Sequence, residues 1–459
     1  MDPPPQFREL VLKHVEVFGE LPDPAECKKL VEMDLQLKPE WEGVPLRTKC
    51  FPMSEEDARE IEKQVEELLR AKLVEEYQGQ EYPRFCSPTF LVPKVPNSKR
   101  MVGDYRKLNQ RTLPHAGFLP DLESTVERIA ATRIKTKMDM RSGFWQVKLS
   151  RRAQELSSFV IPNGRCFKWR IMPFGLSNAP GVFQELMMKV LDALGRVEVV
   201  KQLYKEGCVV VVFFDDVCIG TQTVEQHIIL LEEFFKVCKD MFLRIKLSKC
   251  EFKVETLDFL GFQVGFGWWR PAEKKAAAIN EMKVRNLKEL RSFLGACNFF
   301  RRHIPNFSAS SHVLTDLTKK GVVWRWTDKE ESHFKELKEK LGSVRALGVP
   351  REGGEVLMVT DASKVGGSAA LYQWQKLEKA QAESIGRVLG VNRDGTVQIV
   401  CEAGEKLVPL GYFNWKWNDA RKNYATYEQL LMSRVLTLAS QRRILANKKV
   451  VWLCDQQVV

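Results

Sequence analysis

Apolar positions recur along this chain with two periods, and each period predicts its own kind of element. Ile61, Val65, Leu68 and Leu69 recur at helical spacing behind Ser54 and an acidic first turn, which predicts a capped amphipathic helix. From Ser87 the pattern turns to strand. Thr89-Phe-Leu-Val92 and Met101-Val-Gly-Asp-Tyr105 flank a basic tip from Lys94 to Arg100 with a turn at Pro96-Asn97, which predicts a hairpin. Residues 136–149 and 158–171 also read as strands. A helix is predicted from Asn178-Ala179-Pro180, because proline is tolerated in a first turn and Phe183, Leu186, Met187, Val190 and Leu191 follow at helical spacing. The strongest apolar run, Cys208 to Phe214, has 7 residues. That is far below the roughly 20 needed to span a bilayer and suits a buried strand. It ends at Asp215-Asp216, and Val217-Cys218-Ile219 continues, so a tight hairpin with two carboxylates at its turn is expected.

Beyond Pro271 the pattern is helical. Asn286 with Glu289 caps a helix carrying Leu290, Phe293 and Leu294, and Thr327-Asp-Lys-Glu330 is a capping box before Phe334, Leu337 and Leu341. Arg351-Glu-Gly-Gly354 reads as a linker, and a strand from Val356 to Thr360 opens another αβ unit. The proline-containing first 50 residues read as an entry segment without an assigned role. No internal repeat or low-complexity tract is present.

The length of 459 residues calls for roughly three or more compact units at about 100–200 residues each. Lys and Arg exceed Asp and Glu by 71 − 59 = 12, a balance that favours polyanionic partners through counterion release. The 11 cysteines are odd in number and contain no Cys-x-x-Cys pair, and the 6 histidines lack zinc-site spacing. Reduced thiols in an intracellular protein, cytoplasmic or nuclear and not secreted, are expected. The N-terminus shows no charged-then-apolar signal pattern.

The chemistry concentrates at the strand tip. Two adjacent carboxylates delivered by buried β-formers repel each other unless a cation is shared. Lys137-Met138-Asp139-Met140 places a third Asp in a strand-like, apolar context. Three such carboxylates can hold two Mg²⁺ ions, which activate a 3′-hydroxyl and stabilise a leaving pyrophosphate. Phosphoryl transfer needs positioning and charge neutralisation, so no His or Cys nucleophile is called for.

These residues resemble a known family in six motifs that occur in the family's order. They are Arg100-Met-Val-Gly-Asp104-Tyr-Arg-Lys-Leu-Asn109, Met138-Asp139-Met-Arg-Ser-Gly143-Phe144, Met172-Pro-Phe-Gly-Leu-Ser-Asn-Ala-Pro180, Phe213-Phe-Asp-Asp216, Phe259-Leu-Gly-Phe262 and Leu290-Arg-Ser-Phe-Leu-Gly295. From about residue 30 onward the chain resembles the reverse transcriptase/ribonuclease H region of gypsy-like long-terminal-repeat retrotransposon polyproteins. The resemblance implies an α+β right-hand polymerase of fingers, palm and thumb, then a connection and a truncated ribonuclease H-like α/β domain. The expected divisions are an entry segment 1–50, fingers and palm 51–270, thumb and connection helices 271–350 and an incomplete ribonuclease H-like domain 351–459. It implies an RNA-directed DNA polymerase, a nucleotidyltransferase extending a DNA primer with dNTPs on an RNA or DNA template. Asp139, Asp215 and Asp216 fall on the catalytic, metal-binding positions, with two Mg²⁺ ions as cofactors and Mn²⁺ as a substitute. Arg100, the backbone of Ser142 and Gly143, and Phe144 fall on nucleotide-binding positions. Phe144 would exclude a ribonucleotide 2′-hydroxyl, and Lys94 or Lys99 would add charge from the hairpin. Gln184, Leu260, Gly261 and Phe262 fall on template–primer positions. Trp268 and Trp269 beside Arg270 suit core packing or the duplex flank. Phe213 stands where the family usually has Tyr, which keeps the ring and loses the hydroxyl.

The ribonuclease H-like segment, whose substrate in the family is an RNA–DNA hybrid, departs further. Asp361 and Asp455 match two of its metal-binding positions, but the position of the metal-binding Glu falls on Leu430. Glu428 is the nearest acid, and two residues on a helix is about 200°, so it points away from the Leu430 face. Leu430, Leu431, Val435 and Leu438 suggest a face packed as core, and Glu428 reads as a solvated first-turn charge. The fourth carboxylate of the family is not in the sequence. A polar stretch, roughly Gln373 to Lys406, looks like an insertion. Loss of the ribonuclease activity is expected. The second reading of the whole chain is a non-catalytic nucleic-acid-binding remnant of a retroelement. Without protease, zinc-knuckle or integrase signatures, the chain reads as part of a larger polyprotein, a cleavage product or a decayed copy.

Overall fold

A computed structural model describes all residues except 1–3, 25–30, 79–82, 95–97, 116, 118–119, 365, 379–380, 382–389, 392–396, 399–404 and 455–459. The Pro96-Asn97 turn, most of the polar insertion and Asp455 therefore lie outside the described residues. The chain divides into two compact units, Met1–Leu122 with Ile134–Val254, and Glu123–Arg133 with Glu255–Val459. The first 50 residues are thus part of the first unit.

In the first unit, helix α1 (Pro5–Lys13) buries Phe7, Leu10 and Val11, and Val17 follows them into the core. Fully burying side chains of this kind contributes roughly 1.5–3 kcal/mol each. Helix α2 (Glu55–Arg70) starts as expected, with the Ser54 hydroxyl accepting from the Asp57 amide, and it buries Ile61, Val65 and Leu68. Strands β1 (Phe85–Lys94) and β2 (Ser98–Gly103) form the expected antiparallel hairpin. β1 belongs to a sheet ordered 46–47, β1, 159–160, 166–169, 74–76.

Two expected strands are interrupted. β3 (Ile134–Asp139) stops because Ser142 turns left-handed at φ 49° and Gly143–Gln146 winds into a 3-10 turn. The strand expected over 158–171 breaks at Asn163-Gly164. There Gly164 adopts φ 88° and the Asn163 side chain accepts from the Arg165 amide at 3.0 Å. Helix α3 (Ala179–Gly195) begins with proline in its first turn, as its sequence requires. Strands β4 (Val209–Phe213) and β5 (Asp216–Thr221) are the expected acidic hairpin. They precede helix α4 (Val224–Asp240), which opens on a Thr223/Gln226 capping box. With β6 (Glu251–Val254) they complete a sheet ordered β4-β5-β3-β6. Buried His227 on α4 lies within 2.7 Å of the Thr136 hydroxyl on β3 and 2.9 Å of the Thr221 hydroxyl on β5. Burial pushes its imidazole down to about 4, so the bridge between those strands is neutral.

Among its described residues the second unit holds two four-stranded sheets and a two-stranded pair, Gly390–Val391 with Val397–Gln398. β7 (Leu257–Phe259), β8 (Phe262–Gly265), β9 (Trp268–Pro271) and β10 (Leu347–Gly348) pair antiparallel in that order. Leu260 and Gly261 form the two-residue turn between β7 and β8, both at positive φ (52° and 87°). Both signs suit a type I′ hairpin turn, and a leucine there is strained. Trp269 is fully buried and Trp268 nearly so, in keeping with a core role. Helices α5 (Leu287–Phe299) and α6 (Asp328–Gly342) carry the expected caps.

The second sheet runs β13 (Glu405–Lys416), β12 (Gly366–Lys376), β11 (Glu355–Ala362), β14 (Lys449–Cys454), with β11 and β14 parallel. Helix α7 (Thr426–Ser440) packs against β11 and β12. Its buried face corrects the sequence reading. Leu430 is buried, but Leu431 (39% exposed), Val435 (52%) and Leu438 (37%) face out, while Gln429, Ser433 and Thr437 face in. The reason is close approach: a Cβ on Gly367 would lie 2.1 Å from the Ser433 hydroxyl, so only small residues fit between helix and strand. Ser433 and Thr437 stay satisfied by donating to carbonyls one turn back, at 3.0 and 2.6 Å. Among the described residues, no helix is long and apolar enough to cross a membrane.

Candidate polymerase active site

Sheet register brings the three aspartates together. β5 pairs antiparallel with β3 so that Asp216 stands directly opposite Asp139, and the Met140 amide donates to the Asp215 carbonyl at 3.2 Å. The hairpin turn is tight because Phe214 takes φ 52°, a conformation that costs a bulky residue about 1–3 kcal/mol. Gln184 on α3 secures it. This side chain is 1% exposed, its Oε1 accepts from the Phe214 amide at 2.8 Å, and its Nε2 donates to the Val212 carbonyl at 3.4 Å. The structure therefore places Gln184, expected at a template–primer position, beneath the aspartate turn.

Gly143 faces Asp215. A Cβ built on Gly143 would sit 2.2 Å from Asp215 Oδ1 and 3.0 Å from Phe183 Cζ, so this position excludes any side chain. Asp215 Oδ1 is buried and has no hydrogen-bond partner among the described residues. Burial, then the charges of Asp139 and Asp216, push the Asp215 carboxyl up to about 6, while Lys249 opposes the shift. Burial and Asp139 raise Asp216 as well, against Lys137 and Lys249. Lys249 Nζ pairs with Asp139 Oδ2 at 2.7 Å, and Lys137 Nζ lies 3.7 Å from Asp216 Oδ1. Neither lysine stood out in the sequence; a lysine in a charge-rich chain carries no signal until the fold shows its partner.

An orphaned buried carboxylate oxygen, two raised carboxyls and an all-oxygen donor set fit hard divalent cations such as Mg²⁺. Among the described residues no three acidic, His or Cys side chains converge into a ready-made metal cage. The lysine pairs hold two of the three carboxylates.

Of the residues expected to face a nucleotide, Phe144 packs 5.5 Å from Phe174 and 5.9 Å from Phe183, centroid to centroid. The Arg100 guanidinium lies over the Phe174 ring at 4.8 Å, so Phe174 joins Arg100 to Phe144. Ser142 and Gly143 bring their backbone to the same corner. Lys99 instead pairs with Asp57 on α2 at 2.5 Å, and the side chain of Lys94 lies outside what is described. Leu260, Gly261 and Phe262 sit in the second unit, where Phe262 is buried against Trp269 and Phe300.

In the ribonuclease H-like sheet, Asp361 is exposed at the end of β11. Glu428 is spent on helix capping: its Oε2 accepts from the Ala425 amide at 2.8 Å. Leu430 is 1% exposed, and the other buried residues of α7, Gln429, Ser433 and Thr437, carry no carboxylate.

The chain is similar to known proteins in sequence and in fold. Residues 92–264 match the family model described as reverse transcriptase (RNA-dependent DNA polymerase), and residues 326–383 match an RNase H-like domain found in reverse transcriptase. The Transposon Tf2-3 and Tf2-7 polyproteins of Schizosaccharomyces pombe (strain 972 / ATCC 24843) are each 26% identical over 420 residues, 91% of this chain. The chain spans 28% of the length of those relatives. Among solved structures, the foamy viral protease-reverse transcriptase dRH in complex with ds DNA aligns with a TM-score of 0.75 at 19% identity, covering 98% of this chain and 71% of that one. The foamy viral protease-reverse transcriptase in complex with RNA/DNA hybrid gives 0.71 at 19% identity, covering 99% and 55%.

Proposed function

We propose, from the premise that this chain belongs with the reverse transcriptase and ribonuclease H-like region of gypsy-like long-terminal-repeat retrotransposon polyproteins, that it is an RNA-directed DNA polymerase acting at Asp139, Asp215 and Asp216. The observation that carries the reading is the register that sets Asp216 opposite Asp139 with Asp215 at the adjoining turn. Asp139, Asp215 and Asp216 would hold two divalent cations, which would supply charge neutralisation for the primer 3′-hydroxyl and the departing pyrophosphate. The chain's own residues do the rest. Gly143 leaves room beside Asp215, and Gln184 holds the turn that aims it. Phe144 closes the sugar side of the nucleotide against a 2′-hydroxyl, and Arg100 supplies charge toward the triphosphate. The partners are an RNA or DNA template, a DNA primer, the hybrid they form, and dNTPs. That two of the solved likenesses hold ds DNA or an RNA/DNA hybrid supports nucleic acid as the partner class. The expected result is Mg²⁺-dependent primer extension on an RNA template, lost in Asp215→Asn. Salt-sensitive primer–template binding without extension would establish the non-catalytic remnant instead.

The ribonuclease H-like segment is proposed to be inactive, because Glu428 caps its own helix and Leu430 fills the buried position beside it.

A further inference from the structure

The reverse transcriptase match begins at residue 92, and nothing in the chemistry above uses the first helix of the chain. Yet residues 5–20 are built into the first unit as firmly as its core. The Phe7 ring packs edge-on to His227 at 5.9 Å and lies 6.1 Å from Phe252. His14 and Phe18 flank Phe235 of α4 at 5.7 and 5.2 Å. Lys13 pairs with Glu232 and Glu16 with Lys239, both on α4.

The segment then runs along residues 243–246. The Ile245 amide donates to the Val17 carbonyl at 2.8 Å, and Arg244 Nε donates to the Glu20 carbonyl at 3.2 Å. The other edge of residues 243–246 holds the catalytic strand. The Lys246 amide donates to the Asp139 carbonyl and the Arg141 amide to the Arg244 carbonyl, each at 2.9 Å. Gln146, 3% exposed, locks the two together: it donates to the Arg141 and Arg244 carbonyls, each at 2.9 Å, and accepts from the Arg244 amide at 2.7 Å. The Glu20 carboxylate spans the layer and pairs with the Arg141 guanidinium.

We propose that residues 5–20 are a positioning strap for the polymerase site, with Glu20 as the residue that fixes the Arg141 end of the Asp139 strand. This rests on the polymerase reading above. Residues 243–246 act as a splint with the strap on one edge and Asp139 on the other. Arg141 adjoins Ser142 and Gly143, so its placement sets the backbone beside Asp215. The strap touches no reacting atom, and its loss shows in the rate constant of extension rather than in primer–template affinity.

The test is single-turnover primer extension, run with the full chain, a variant lacking residues 1–20, Glu20→Ala and Glu20→Gln. An exposed ion pair alone is worth up to about 1 kcal/mol, so Glu20→Ala is expected to slow extension about two- to fivefold. Glu20→Gln, which keeps an acceptor for Arg141, is expected to recover most of that loss. The truncated chain is expected to slow about tenfold or more with primer–template affinity changed by less than about twofold, a difference of about 1.4 kcal/mol or more in the barrier alone. Adding a peptide of residues 1–20 should restore part of the rate. A folded truncated chain that extends at the full rate, or Glu20→Ala at the full rate, overturns the strap while leaving the polymerase reading intact. If the truncated chain does not fold, the two Glu20 variants decide. A full chain without extension overturns both readings.

Discussion

Replacing Gln184 with Met removes two hydrogen bonds under the aspartate turn and keeps the side chain's length and bulk. The Phe214 amide then loses its 2.8 Å acceptor while it is part-buried, and the Val212 carbonyl loses a longer 3.4 Å donor. Leaving a buried donor unsatisfied costs about 1–3 kcal/mol. Phe214 already sits at φ 52°, so the turn has a ready way to relax, by releasing the left-handed residue. Relaxation would move Asp215 away from Asp139 and the Gly143 backbone. If the cost falls on aligning the carboxylates, 1–3 kcal/mol is about a 5- to 150-fold drop in kcat. The assay is rapid-quench incorporation of one dNTP on an RNA template, with primer–template Kd measured alongside. Gln184→Glu is the companion variant: it keeps an acceptor for the Phe214 amide but adds a charge near three carboxylates, and should be at least as slow. Gln184→Met with kcat within about twofold of the parent would refute the brace. So would a loss confined to Kd, which would return Gln184 to the template.

Three further outcomes follow from the same geometry. Ionised Asp215 is unfavourable in the fold, because its carboxyl is raised to about 6 from 3.8. The folded state therefore binds that proton more tightly than the unfolded chain, and stability without divalent metal falls as pH rises from about 3.8 to 6. Asp215→Asn should accordingly raise the metal-free melting temperature near neutral pH by roughly 2–4 °C while abolishing extension, and a lowered melting temperature would contradict the sign. Phe144→Ala should raise rNTP incorporation relative to dNTP by about tenfold or more in kcat/KM, read from parallel single-nucleotide assays; unchanged selectivity would remove the steric gate. The unaltered chain should release no labelled fragments from an RNA–DNA hybrid, and cleavage that Asp361→Asn abolishes would restore the ribonuclease to this protein.

Much of the fold was legible because its signals are local. The helices behind Ser54, Asn286 and Thr327 and the hairpins at 85–103 and 209–221 follow from caps, period and turn residues that sit side by side in the chain. Helix α7 was misread in the facing of its stripe. Its apolar residues suggest a buried face, but Gly367 draws the helix so close to the strand that the small Ser433 stands at the contact, while Leu431, Val435 and Leu438 face out. Close approach depends on a strand some 60 residues away in sequence, which no periodicity reports.

By itself the sequence singled out the candidate residues of the site: three aspartates, one of them in a strand-like segment and two at the end of an apolar strand, with a glycine and a phenylalanine in the same motif as the first. Tertiary structure alone decided that Asp216 faces Asp139, that Lys249 and Lys137 pair with them, that Gln184 lies under the turn and that Val17 and Glu20 bond to Ile245 and Arg244 beside the Asp139 strand. The physical reason is range. Capping, alternation and turn chemistry act between near neighbours, whereas register, burial and the electrostatic field of a site arise only when segments far apart in the chain are packed against one another.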